Sequence, residues 1–125
     1  MSLSNYAEEK VLQALFNNVT YAVATPYMSL HTADPGETGA SEAAGGTYTR
    51  QLTDFNVASN PAGTVTNNGI VDFTLMPACT ITHVGVWDAV AAGNFICSGA
   101  FASSKVVNAG DTYRVPDVSL TVTLS

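Results

Sequence analysis

Few side chains in this sequence do chemistry near neutral pH, and their spacing decides what they can do. His83, Asp88 and a serine would supply the parts of an acyl-transfer triad, in which a carboxylate orients the imidazole that takes the hydroxyl proton. In a strand, however, residues five apart point to opposite faces, so His83 and Asp88 cannot orient one another. His31 has no acid at a matching spacing, and neither "TGA" nor "CSGAF" has the strand-turn-helix setting of a nucleophile elbow. Both histidines are therefore expected to be structural. Cys79 and Cys97 could pair, or could hold zinc if His31 and His83 joined them; two isolated thiols are too few alone, and such cysteines ordinarily serve as small buried hydrophobes. No catalytic residue, cofactor or metal is expected.

The acids of "DPGETGASE", Asp34, Glu37 and Glu42, could attract a cation. Calcium would want six or more oxygens at regular loop spacing, and this stretch does not provide them. "GASEAAGG" is not a phosphate cradle, since no Lys follows and no helix opens after it. The better reading is a solvated turn begun by Asp34-Pro35-Gly36, inside a long loop over 33–47. Loops of that length in small domains are usually functional or disordered. This one is expected to be floppy alone and to order against a neighbour.

The elements that must position these residues follow from pattern. "SNYAEEKVLQALFNNVTY" predicts a helix over 5–18, with Asn5 as N-cap, Glu8 completing a capping box, and Asn17 and Asn18 as the stop. Val11, Leu12, Leu15, Phe16 and Val19 form one stripe, which would either cover one end of a sheet or dock on another subunit. From Pro26 the period changes to two. "TITHVGVWDAVAAGNFICSGAFA" predicts a hairpin with runs at 80–88 and 94–102, pairing Asp88 with Asn94, Trp87 with Phe95, Gly85 with Cys97 and His83 with Gly99, covered on both faces. That register holds Cys79 and Cys97 roughly 20 Å apart, too far for a disulfide. In the last segment Val118, Leu120, Val122 and Leu124 alternate with Ser and Thr. Short strands and frequent turns predict a mainly β, antiparallel, jelly-roll-like sandwich over 26–125 with one N-terminal α-helix, all in a single domain.

Composition excludes several functions. Ten acids face four scattered bases, for a net charge of −6, so the clustered cations of a nucleic-acid binder are missing. No apolar run approaches the roughly 20 residues of a membrane span, and acids stand where a signal peptide would carry cations. A protein made in a cytoplasm is expected. With 46% hydrophobic and only 11% charged residues, and strands faced with Thr and Ser, the chain suits symmetric self-association, a trimer or another ring.

The blocks "NYAEEKVLQALF", "MSLHTADPGETG", "GGTYTRQ", "THVGVWDA", "GNFICSGAF", "KVVNAGDTYRV" and "LTVTLS", in this order over nearly the whole chain, resemble a family of small bacteriophage virion proteins commonly labelled tail fibre proteins. His31 and the two cysteines depart from that family's pattern. The resemblance implies a non-enzymatic virion protein, made in the host bacterial cytoplasm and carried on the particle surface. It would act as a capsid decoration or cement protein, or as a tail fibre or adaptor component, with itself and phage capsid or tail proteins as partners. The alternative is a module binding host-surface carbohydrate. The expected contact residues are Leu12, Leu15 and Phe16 on the helix, Asp34, Pro35, Glu37 and Glu42 in the loop, and Leu120, Val122 and Leu124 in the last strand.

Overall fold

In a computed structural model, which describes residues 2–23, 25–56 and 63–123, the chain is mainly β with one N-terminal helix. Strand β1 (Ser2–Leu3) leads into α1 (Asn5–Phe16), and β2 (Tyr27–His31), β3 (Gln51–Leu52), β4 (Thr64–Thr66) and β5 (Val71–Phe73) follow. The long hairpin is β6 (Cys79–Trp87) and β7 (Phe95–Val107), and β8 (Tyr113–Val115) and β9 (Thr121–Thr123) end the described chain. An antiparallel five-stranded sheet runs in the order β1-β7-β6-β2-β3. The layer against it is divided into two antiparallel ribbons, β4-β9 and β5-β8. Met28, Leu30, Val84 and Val86 of the sheet share one buried cluster with Phe73, Tyr113 and Val115 of the ribbons, which gives the layering of a sandwich.

At the turn end, the hairpin pairs as its sequence predicts, Trp87 opposite Phe95, with Asp88 donating its backbone N–H to the Asn94 carbonyl at 3.2 Å. Asp88 also fixes the loop from its side chain, accepting from the Asn94 backbone N–H at 2.7 Å and from Asn94 Nδ2 at 2.8 Å. One residue further the register slips. Cys97 lies opposite Val86 rather than Gly85, and His83 lies opposite Ala100 rather than Gly99. A second irregularity between Ile81 and His83 brings Lys105 opposite Ile81, so residues 101–104 bulge from β7. Bulges re-aim a strand, and here 102–106 are exposed; the expected cover on both faces stops short of them. The thiols stay apart: Cys79 is opposite Val107, seven positions along β6 from Val86, roughly 23 Å. Both are free.

The helix begins at residue 5 as its sequence predicts, but its cap is one residue earlier. Ser4, not Asn5, is the N-cap: its Oγ accepts the Ala7 N–H at 3.2 Å and donates to the Phe95 carbonyl, while its N–H bonds the Ile96 carbonyl at 2.8 Å. Ser4 thus caps α1 and docks it on β7 together. At the other end Asn18 takes a left-handed φ of 55°, a conformation asparagine tolerates, and the helix stops at Phe16 rather than residue 18. Among the described helix residues only Ala7 is buried.

The last segment also departs from its alternating pattern. Leu120 is buried and Val122 is half-buried against the core, but Val118 is exposed, with φ of 55°. A positive φ is costly for a β-branched residue, and the fully buried Asn67 shows what holds it. Asn67 Oδ1 accepts the Ser119 and Leu120 N–H groups at 3.0 and 2.8 Å, and its Nδ2 donates to the Gly69 and Pro116 carbonyls, each at 2.9 Å. Its backbone carbonyl takes the Val118 N–H at 3.1 Å. One buried asparagine therefore satisfies the backbone of an exposed turn. Leu124, the remaining member of the pattern, lies outside the described residues.

Candidate interaction surface

The loop between β2 and β3 contains the charged cluster of the fold. Arg50, at its C-terminal end, points its fork at Glu42: Nη2 is 2.9 Å from Oε2 and Nε is 3.0 Å from Oε1. Its Nη1 donates to the carbonyls of Ala89 and Ala92 in the β6-β7 turn at 3.0 and 2.8 Å. The guanidinium carbon sits 3.5 Å from the ring centroid of Trp87, a cation–π contact. Tyr48 donates its hydroxyl hydrogen to Glu42 Oε1 at 3.0 Å and accepts the Leu30 N–H at 2.9 Å, and its ring stacks on Phe73. Burial pushes the Tyr48 phenol well above its ordinary range.

Nearer β2, the loop is stitched by Thr32 N–H to the Ser41 carbonyl and Ala43 N–H to the Leu30 carbonyl, both at 2.9 Å. Gly39 lies flat on Trp87 and Phe95 with φ of 75°, so close that a Cβ would enter both rings. The expected floppy loop is in fact braced. Several of its polar residues are occupied internally, which composition alone could not show. Pro35 is buried, Glu42 is committed to Arg50 and Tyr48, and Asp34 Oδ1 accepts the Gly36 N–H at 2.9 Å. Glu37 is exposed, and its Oε2 accepts the Asn5 N–H at 2.6 Å, tying the loop to the N-terminus of α1.

The helix presents the opposite character. Leu12 is 56% exposed, Leu15 69% and Phe16 76%. The expectation that the stripe covers a sheet end does not hold, because α1 rests on the sheet through its first turns. A shallow cleft of about 260 Å³ between Leu3, Glu8, Val11 and Leu12 continues the apolar surface towards the sheet. Leu3 also lines an apolar groove of about 240 Å³ with Val23, Phe55, Val65, Ile96 and Val122. The helix stripe, Leu3 and this groove therefore form one apolar band. Of the expected contact residues, Leu12, Leu15, Phe16, Asp34 and Glu37 reach the surface, while Pro35 and Leu120 are interior.

The catalytic constellations do not assemble. Both oxygens of Asp88 are engaged by Asn94, His83 Nδ1 lies 2.8 Å from the Thr82 hydroxyl, and His31 is buried. Among the described residues no group of three or more His, Cys, Asp and Glu is placed to hold a metal ion, and no described helix is long and apolar enough to cross a membrane. The described residues form a β-body carrying an apolar helix face. A family model described as "Podophage GP4 fiber I protein gp80" matches residues 2–123. The chain belongs to the gp80 family. No curated protein matches it. As a gp80-family protein it is a structural phage fibre protein of the virion, which accords with the resemblance seen in its sequence blocks and implies association with other proteins of the particle.

Sequence reasoning missed the residues that hold this gp80-family chain together: Arg50, Tyr48 and Asn67. Their partners lie far along the chain, as Arg50 does from Ala89 and Asn67 from Leu120.

Proposed function

We propose that the chain is a non-enzymatic fibre subunit that self-associates, with a trimer favoured, and that α1 is the element by which it grips a sister copy or a neighbouring protein of the particle. The observation that carries this reading is the exposed stripe of Leu12, Leu15 and Phe16. Burying such a side chain is worth about 1.5–3 kcal/mol, while association costs roughly 4–15 kcal/mol. Three side chains alone are comparable to the lower part of that cost, so the contact extends over the adjoining cleft at Leu3 and Val11. The fibre label of the family supports a fibre or adaptor position over capsid decoration.

Sedimentation velocity at micromolar concentration tests the reading. The native chain should sediment as an oligomer, and Leu15→Glu combined with Phe16→Glu should sediment as a folded monomer. A native chain that is monomeric and fails to bind purified phage particles would defeat it. Carbohydrate binding has less support, because three of the four aromatic side chains that could build a sugar platform, Tyr27 being the fourth, are engaged elsewhere: Trp87 lies under Arg50, Tyr48 lies on Phe73, and Tyr113 packs against Phe101.

A further inference from the structure

His31 is fully buried, and a second proton on its ring would find only Ser29 Oγ to receive it. Nδ1 lies 2.8 Å from the Ala40 carbonyl, which can only accept, so the imidazole hydrogen sits there. Nε2 is left as an acceptor, 2.7 Å from Ser29 Oγ. Trp87 Nε1, a donor only, gives its hydrogen to the same oxygen at 3.0 Å. Ser29 must therefore direct its single hydrogen at His31. Protonating Nε2 makes Ser29 Oγ accept from both His31 and Trp87, and the serine hydrogen must swing away from its only acceptor here, His31, into closed space. Gly85 makes the closure plain: even a methyl there would fall 2.6 Å from Ser29 Oγ and 2.7 Å from His31 Nε2.

The charged and titratable neighbours do not rescue an imidazolium. From the loop, the Glu42 carboxylate favours the charge, but Arg50 and Tyr48 already engage it, and Arg50 itself opposes. From β6, His83, opposite His31 in register, opposes as well. From β7 the ring meets only the Phe95 edge, with centroids 6.0 Å apart. Desolvation is the largest influence, and it holds the proton affinity of His31 below the ordinary imidazole value. The ring lies beneath the segment held by the Thr32–Ser41 and Ala43–Leu30 backbone bonds.

We propose that the 32–42 segment is an acid-released latch: a proton taken up at His31 lifts the segment from β2 and β6 and unhooks Glu37 from the N-terminus of α1. The latch operates within one copy of the chain, so it stands or falls apart from the assembly reading.

Amide hydrogen exchange on the full chain, at about pH 7.5 and about pH 5 and expressed as protection factors, tests it. The amides of Thr32, Ala40 and Ala43 should lose protection by up to about tenfold per pH unit below about 6.5, while that of Val84 in β6 keeps its own. His31→Gln should abolish this pH dependence and His83→Gln should retain it. Should the His31 variant fail to fold, NMR titration of the native imidazole decides: the latch requires His31 protonation to coincide with loss of loop protection. Unchanged protection at the lower pH, an equal loss in His31→Gln, or ordinary imidazole titration with the loop still closed would each overturn the proposal.

Discussion

The β2-β3 loop and helix α1 exchange the roles that their compositions suggest. The loop is glycine-rich, polar and long, yet Arg50 joins it to Glu42, to the β6-β7 turn and to the face of Trp87. The helix is regular and amphipathic, yet its apolar stripe faces outward. Order in this fold comes from a few polar side chains that each satisfy several distant groups, and hydrophobic periodicity does not say which copy of the chain a stripe will meet. A loop can be rigid because one guanidinium fills its centre.

The sharpest break of that contrast is Arg50→Ala. With the Arg50 side chain only 9% exposed, its loss leaves the Glu42 charge with the Tyr48 hydroxyl alone and uncovers Trp87. A cost of about 3–5 kcal/mol is expected, read as a lower denaturation midpoint at unchanged slope; Arg50→Lys should recover little, lacking the fork. Asn67→Ala extends the same idea to the second braced turn. The buried Leu120 N–H and the partly buried Ser119 N–H lose their acceptor, at about 1–3 kcal/mol for a buried group left unsatisfied, measured in the same way.

Acid supplies the next effect. Because burial lowers the proton affinity of folded His31, stability is full above the unfolded imidazole value of about 6.5. It falls below that value, where the unfolded chain binds a proton that the folded chain refuses. The loss is up to about 1.4 kcal/mol per pH unit until the folded value is reached, and urea melts across that window should vanish in slope for His31→Gln. Ser4→Ala should cost about 1 kcal/mol as a lost helix cap. Smallest of all, Leu15→Glu should shift monomer stability by no more than about 0.5 kcal/mol while changing the sedimenting species. If that substitution instead unfolds the monomer, the helix belongs to the core and the contrast collapses.

Much of the fold was legible because it is local. The Trp87–Phe95 pairing follows from a five-residue turn that Asp88 and Asn94 close, and the helix follows from its stripe and cap. The slips deeper in the hairpin were not legible, since bulges at Val86 and near Thr82 leave no mark in alternation. Ser4 was passed over because Asn5 is an equally good cap by type; the deciding contact is to Phe95, far along the chain. The outward face of α1 was hidden for a related reason, since a stripe that would cover a sheet and a stripe that would meet a partner have the same periodicity. Only where Ala7 touches down on β7 does the difference become visible.

The separation of Cys79 from Cys97 along β6 also constrains how the molecule ages. Oxidation cannot staple the polypeptide to itself, so any cystine that forms must bridge two polypeptides. Cys97 is sealed inside, with burial raising its thiol to about 12, which leaves half-exposed Cys79 as the group able to react. A covalent dimer appearing under mild oxidant would thus act as a ruler, reporting two Cys79 side chains within one disulfide's reach on neighbouring copies.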